Sequence, residues 1–182
     1  MTDRELANRC LIGDRSAYET LWKQHSGKMY SVCKRYFDRN EDAQDALQEG
    51  FIRVFKHLDQ WQGEGPLGAW IRKVMVNTSL NMLKSQARKG IHVQMDTVAE
   101  LTENDFNALG RLNEEDLLNL IRQMPAGYRT VFNLFAIEGY SHLEIASMLS
   151  VSENTSKTQY HKAKGWLKSR LEQPNNNSAH NG

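Results

Sequence analysis

Residues 141–171 read SHLEIASMLSVSENTSKTQYHKAKGWLKSRL, and their pattern predicts the fold of the C-terminal part of the chain. Ser141 and Glu144 have the spacing of a capping box, which predicts the start of a short helix. A turn at Ser150 separates this helix from a second one, which follows Ser152 and is rich in Lys and hydroxyl side chains. Two helices joined by a tight turn, the second one basic, are typical of a DNA-binding helix-turn-helix.

Helical spacing predicts which side chains of this motif face inward. We expect a small core built from Leu143, Ala146 and Leu149 of the first helix and from Tyr160, Ala163 and Leu167 of the second. The outward positions of the second helix are then Lys157, Thr158, Gln159, His161 and Lys162. Lys pairs with guanine and Gln with adenine in the major groove, whereas Ser152, Thr155 and Lys164 are expected to contact phosphates.

The composition indicates an all-α protein without a disulfide framework or a membrane segment. The 182 residues include only three Pro and twelve Gly, and they suffice for one medium core or two small ones. Cys10 and Cys33 have neither the number nor the spacing of a disulfide framework or a zinc site, so we expect buried thiols. The longest apolar runs are too short to span a bilayer, and TDRELANRC (2–10) lacks the apolar core of a signal peptide. We therefore expect a cytoplasmic protein.

Charge is distributed in blocks, although the formal net charge is only +1. Residues 1–90 contain 15 Lys and Arg against 11 Asp and Glu, residues 91–116 contain 1 against 7, and residues 117–182 contain 7 against 4. Two basic blocks around an acidic one favour two modules that face nucleic acid. We predict an N-terminal helical domain (1–90), an acidic flexible linker (91–112), a C-terminal helix-turn-helix domain (113–172) and a disordered tail (173–182).

Four helices are predicted in the N-terminal domain. They span about 3–12, 15–37, 41–58 and 67–87, with the Gly-rich loop WQGEGPLG (61–68) before the last one. The helix at 41–58 has a polar side beside two aromatic residues, Phe51 and Phe55; the polar residues are Asp42, Asp45, Gln48, Glu49 and Arg53. This side is either a solvated acidic face or a docking surface for a basic partner helix.

The helix at 67–88 combines stacking, polar and basic side chains. Trp70, Asn77 and Asn81 lie on or near one face, and Ile71, Val74 and Leu83 are expected to face the core; the surrounding basic residues are Arg72, Lys73, Lys84 and Arg88. A strand pulled out of a duplex needs a flat stacking surface, polar groups for the base edge and neutralisation of its phosphates. Trp70 has a second interpretation, as a core residue that anchors the preceding loop.

Three stretches in this order resemble the extracytoplasmic-function group of bacterial sigma factors: DAQDALQEGFIRVFKHL (42–58), GPLGAWIRKVMVN (65–77) and MPAGYRTVFNLFAIEGYSHLEIASMLSVSENTSKTQYHKAK (124–164). The resemblance covers about 1–90 and 113–172. It implies a dissociable subunit of RNA polymerase that contacts the clamp and the flap of the core enzyme. It further implies that helix 41–58 docks on the clamp coiled coil, that the loop and helix 67–88 read the −10 element as a single strand, and that the recognition helix reads the −35 element. Promoter DNA and an anti-sigma factor are the other implied partners, and neither a cofactor nor a catalytic site is implied.

Three residues depart from the usual helix-turn-helix pattern. Ser150 stands in the turn where Gly is usual, so we expect a left-handed conformation or a looser turn. Ser156 stands where an aliphatic residue often packs, which predicts a weaker core. Gly165 interrupts the recognition helix at a cost of about 1 kcal/mol relative to Ala.

Three other functions compete with the sigma factor. An enzyme is disfavoured because the sequence has no metal-ligand spacing, nucleophile elbow or phosphate loop. A stand-alone helix-turn-helix regulator would leave helices 41–58 and 67–88 without a role. A sigma-like protein acting mainly through protein contacts would keep its promoter use after charge reversal at Lys157 and Lys162.

Overall fold

The computed structural model describes residues 1–87 and 112–172, and within these residues the regular structure is helical. The chain divides into two compact units, Met1–Ile91 and His92–Gly182. The predicted all-α class is confirmed. Arg88, the predicted linker up to residue 111 and the predicted tail at 173–182 lie outside the described residues. None of the described helices is both long and apolar enough to traverse a bilayer.

The N-terminal unit contains four α-helices, α1 (Asp3–Leu11), α2 (Arg15–Lys34), α3 (Asn40–Lys56) and α4 (Leu67–Ala87), and a 3-10 turn at Leu58–Gln60. α2, α3 and α4 pack against one another, and α1 packs on α2. α1 begins with a capping box, in which Thr2 and Glu5 form reciprocal bonds. α2 ends three residues before the predicted position 37, because the chain turns after Lys34 to bring Tyr36 and Phe37 into the core.

Close packing of α3 on α4 depends on a glycine. The apolar stripe of α3 is buried, and Gly50 lies on it. A Cβ atom at Gly50 would overlap the sulfur of Met75, which is fully buried in α4. The buried apolar residues of α4 are Leu67, Ile71, Met75, Val76 and Leu80, and they do not include Val74 and Leu83. Those two side chains are only half-buried, so the prediction for them was wrong by one helical position.

α4 is capped by Asp3, the first residue of α1. The backbone N–H of Leu67 donates to the Asp3 carboxylate across 2.8 Å. This bond satisfies one of the open N–H groups at the start of a helix and places a negative charge at its positive end. It ties the first turn of α4 to the start of α1, and His25 of α2 lies close to Gly68 in that same turn.

The C-terminal unit contains α5 (Glu114–Gln123), α6 (Ala126–Phe132), a π-helical turn (Asn133–Ile137), α7 (His142–Leu149) and α8 (Glu153–Glu172). α6 and α7 both pack on α8, and the core cluster consists of Ile121, Met124, Tyr128, Phe132, Ala163 and Leu167. The helical segment 126–137 is not α-helical throughout. It widens after Phe132, where the N–H of Glu138 bonds the carbonyl of Asn133 five residues earlier at 2.9 Å.

The turn of the predicted helix-turn-helix is tight. The capping box between Ser141 and Glu144 is present, and Ser150 takes the left-handed conformation at φ 58°. The N–H of Val151 closes the turn by donating to the carbonyl of Ala146 at 3.0 Å. The prediction for Leu143 was wrong, since 69% of this residue is exposed. The inward stripe of α7 starts one residue earlier, at His142, and continues through Ile145 and Ala146.

Candidate DNA and protein interfaces

The exposed face of α8 begins in its first turn. Four side chains on this face are exposed, namely Glu153, Asn154, Lys157 and Thr158. Lys157 and Thr158 were predicted to face outward, whereas Glu153 and Asn154 were missed. The signal was available, because the N-terminal residues of a recognition helix are the ones that reach base edges.

Glu153 and Lys157 form an ion pair one helical turn apart. Their Oε1 and Nζ atoms are 2.7 Å apart, and about half of each side chain is exposed. The hydrogen bond from Lys157, followed by its charge, lowers the pKa of the Glu153 carboxyl below its usual value. The carboxylate of Glu153 and the ammonium of Lys157 therefore lie in contact on the exposed face of α8.

The later residues of α8 are less exposed than the sequence predicted. Gln159 is half-buried, and its amide oxygen is buried close to Gly127 of α6. This side chain therefore packs against α6 instead of facing fully outward. Lys164 lies with its Nζ atom 5.2 Å from the ring centre of Tyr160, and His161 and Lys162 are half-buried.

Ser156 is a polar core residue that has a partner. It is fully buried, and its hydroxyl lies 2.9 Å from Nδ1 of His142. The His142 ring in turn stacks on Phe135, with ring centres 4.2 Å apart and planes 12° apart. A hydrogen bond and an aromatic stack thus join the two helices of the motif where an aliphatic contact was expected.

An open groove of about 610 Å³ lies between α3 and α4 of the N-terminal unit. It is lined by Glu49, Ile52, Arg53, Lys56, His57, Gln60, Trp70, Lys73, Val74, Asn77 and Thr78. The groove brings together residues that the sequence assigned to two different partners. Glu49 and Arg53 were assigned to a protein surface, and Trp70, Lys73 and Asn77 to a DNA strand.

The electrostatics of the groove are positive. Arg53, Lys56 and Lys73 line it, and the only acidic lining residue is Glu49, which accepts a hydrogen bond from Nε of Arg53 at 2.9 Å. Trp70 is half-buried in the wall of the groove. It is therefore neither fully buried, as a core residue would be, nor fully exposed, as a free stacking surface would be. Asn77 is exposed, and Asn81 is exposed one turn further along α4. Arg72 and Lys84 are half-buried beside them.

The apolar residue exposed on the polar face of α3 is not one of the two predicted aromatic residues. Asp45 and Gln48 are exposed and Asp42 is half-buried. Phe51 is buried, so it contributes no exposed apolar surface, and Phe55 is half-buried with its ring edge against Tyr18 at 4.9 Å. Ile52 was missed, although 60% of it is exposed. Its spacing from Asp45 and Gln48 places it on the same helical face.

Metal chemistry has no support in the described parts of the chain. Across residues 1–87 and 112–172, His, Cys, Asp and Glu side chains do not come together in threes that could hold an ion. Cys10 and Cys33 are free and buried, as predicted. Burial raises the pKa of the Cys33 thiol to about 11, so this cysteine is an unreactive core residue.

Comparison with known proteins identifies both units. The family model of Sigma-70 region 2 matches residues 21–89, and that of Sigma-70 region 4 matches residues 114–167. The first match contains the groove and the second contains the helix-turn-helix. The chain belongs to the bacterial sigma factors, the class of protein that directs RNA polymerase to promoters.

Full-length relatives narrow the class. The ECF RNA polymerase sigma-E factor of Haemophilus influenzae is 25% identical over 94% of this chain and 96% of its own length. The sigma-E factor of Escherichia coli K12 is 26% identical, over 90% of this chain and 91% of its own. The chain belongs to the extracytoplasmic-function group of sigma factors.

Two solved structures share the fold. One is CnrH in complex with the cytosolic domain of CnrY, with a TM-score of 0.50, 22% identity, and coverage of 93% of this chain and 96% of that one. The other is the sigma factor RpoE in complex with the anti-sigma factor NepR from Bartonella quintana, with a TM-score of 0.53 and 15% identity. It covers 86% of this chain and 98% of its own.

Proposed function

We propose that this chain binds core RNA polymerase through the exposed face of α3, reads the −10 element in the α3–α4 groove and reads the −35 element with α8. The observation that carries the proposal is the groove, where Trp70, Asn77 and three cations line one concave surface. The domain roles follow from this assignment, with 1–90 as the polymerase and −10 domain and 113–172 as the −35 domain.

The groove has the chemistry that a separated DNA strand requires. Trp70 offers an aromatic surface on which a base stacks, and Asn77 offers an amide for a base edge. Arg53, Lys56 and Lys73 neutralise the phosphates that enter with the strand. Arg72, Asn81 and Lys84 extend the same surface along α4. Arg88, which follows α4, completes the predicted set.

The face of α3 suits a basic partner such as a clamp helix. Asp45, Gln48 and the partly buried Asp42 supply acidic and polar contacts, and Ile52 supplies an apolar centre. Charge attraction accelerates the encounter, and a small desolvated apolar contact provides most of the affinity. Arg53 and Phe55 border this surface, and Glu49 joins it to the groove.

The recognition helix presents its first two turns to the major groove. Lys157 and Thr158 are placed to contact base edges, and His161, Lys162 and Lys164 are placed further along, towards the phosphates. Gln159 contributes through its packing on α6 rather than through a base contact, because its amide oxygen is buried.

Both solved structures of similar fold are complexes, one of them with an anti-sigma factor by name. We expect an anti-sigma factor to bind this chain as well, in competition with core polymerase. We also expect a cytoplasmic regulatory protein without catalytic activity and without a cofactor.

Single substitutions separate the three interfaces in transcription assays with core polymerase. Asp45→Lys should weaken polymerase binding, Asn77→Ala should slow promoter opening, and Lys157→Ala should change −35 preference. Asp59→Lys is the matched control for charge, because Asp59 is exposed on the 3-10 turn and does not line the groove. Unchanged promoter use after charge reversal at Lys157 and Lys162 would support instead a sigma-like protein that acts through protein contacts.

A further inference from the structure

The first two turns of α8 hold a hydrogen-bond acceptor and a donor side by side. The carboxylate of Glu153 and the ammonium of Lys157 are in contact at 2.7 Å, and both are exposed on the face that also carries Asn154. Ser156, which directly precedes Lys157, points into the core, where it is fully buried and contacts His142. Because this anchor fixes the rotation of the helix, the ion pair is held on the outer side.

A G·C base pair presents the complementary pattern in the major groove. Guanine offers two acceptors, N7 and O6, and cytosine offers the N4 amino donor directly beside O6. An A·T pair offers a donor between two acceptors, with the thymine methyl group alongside. A lysine next to a carboxylate therefore matches G·C best, because the ammonium reaches both guanine acceptors while the carboxylate accepts from cytosine N4.

We propose that Glu153 and Lys157 read a single G·C base pair of the −35 element as one unit, with Lys157 on guanine and Glu153 on cytosine. This inference rests on the proposed function, in which α8 enters the major groove. It adds Glu153 to the residues that determine specificity and assigns one base pair to two side chains.

The carboxylate makes the lysine selective. A free Lys side chain is flexible and binds any nearby phosphate, so on its own it adds affinity without sequence information. Glu153 holds the ammonium at a fixed position and repels the phosphate backbone. Binding is weakened when the Glu153 carboxylate lies at the DNA surface without a hydrogen-bond donor. Every base pair that lacks the cytosine amino group at that position should therefore be bound less tightly.

A structural role of Glu153 makes a different prediction. An acidic residue in the first turn stabilises a helix through the partial positive charge of its N-terminus, whether or not DNA is bound. Loss of that effect would weaken binding to all promoters alike. A change in preference at one base pair distinguishes base reading from this general effect.

Promoter selection with holoenzyme tests the inference. Core RNA polymerase is combined with wild-type protein, Glu153→Ala, Lys157→Ala or the double variant, and active promoters are selected from a library with a randomised −35 element. The wild type should prefer G·C at one position by about 5- to 150-fold over other pairs. Each single variant and the double variant should lose the preference at that same position.

Two further variants sharpen the result. Glu153→Gln should move the preference at that base pair towards adenine, which a loss of folding cannot produce. Glu19→Ala removes the acid of the equally spaced Arg15–Glu19 pair in α2, and it should leave the selected −35 sequence unchanged.

Three outcomes would overturn the inference. The two single variants could relax different base pairs, Glu153→Ala could reduce the use of all sequences equally, or Glu153→Ala could leave the wild-type preference intact. If wild-type holoenzyme selects no −35 sequence at all, the proposed function fails and takes this inference with it.

Discussion

Ser150 forms the turn of the helix-turn-helix in a left-handed conformation, which residues other than glycine rarely adopt. Ser150→Gly should raise the free energy of unfolding of the C-terminal unit by about 1 kcal/mol, because glycine removes the strain of the Cβ atom. Native-state hydrogen exchange of the α8 amides measures this change. Ser147→Gly, at an exposed position inside α7, is the control and should lower the same free energy. Equal effects of both changes would contradict the explanation.

The protonation of His142 should affect the stability of the motif, because its ring contacts Ser156 of the second helix. Burial, followed by the charge of Lys157, lowers its pKa below the usual 6.5, while Glu153 partly opposes this shift. Since the unfolded chain then binds the proton more readily, the free energy of unfolding should fall as the pH drops below 6.5. An NMR titration of the ring should give a midpoint below 6.5, and Lys157→Ala should raise it. A midpoint at or above 6.5 would refute this assignment.

Single residues also mark where prediction from the sequence succeeds and fails. The capping boxes at Thr2 and Ser141 were predictable, because a cap depends on residues only three positions apart. The exposure of Leu143 was not predictable. Leu143 and Ala146 have the spacing of two inward residues, but the inward stripe of α7 begins at the polar His142 instead. The partner of that histidine, Ser156, lies 14 positions away, and only the packed structure brings the two together.

At the scale of the helices, the contact between α3 and α4 sets the shape of the groove. Gly50→Ala should lower the free energy of unfolding of the N-terminal unit by about 1–3 kcal/mol, because the new methyl group overlaps the fully buried Met75. Urea unfolding measures the loss.

Gly27 provides the matched control for this substitution. It lies inside α2, and a Cβ atom there meets nothing within 4 Å. Gly27→Ala should therefore raise stability by about 0.5–1 kcal/mol, the usual gain in helix propensity. If Gly50→Ala also stabilised the protein, the close approach of the two helices would be refuted.

The helices themselves were largely predictable, whereas the groove was not. Amphipathic spacing placed α3 and α4 nearly at their observed bounds. The sequence assigned the polar face of α3 to a protein and that of α4 to DNA, without indicating that Arg53 and Lys73 line one groove. Such a juxtaposition depends on the packing angle between two helices, which local spacing does not determine. The Asp3 cap on α4 was missed for the same reason, since its partners are 64 residues apart.

At the scale of the whole molecule, the two units each carry one of the proposed DNA-binding surfaces, and each surface is only moderately basic. The groove has three cations and α8 has a lysine already paired with a carboxylate, so we expect weak promoter binding by the free protein. Core polymerase would tie both units to one promoter, and the second contact then forms at a high effective concentration. The net charge of +1 agrees with a protein that does not bind DNA strongly by itself.

Promoter recognition should require polymerase and this chain together. The most direct measurement is a transcription assay with purified core RNA polymerase, purified protein and promoters from a genomic library. Specific initiation is expected only when both proteins are present, together with a stable complex of the two and weak binding of promoter DNA by this protein alone. Failure to bind core polymerase, or tight binding of the promoter without it, would contradict the claim.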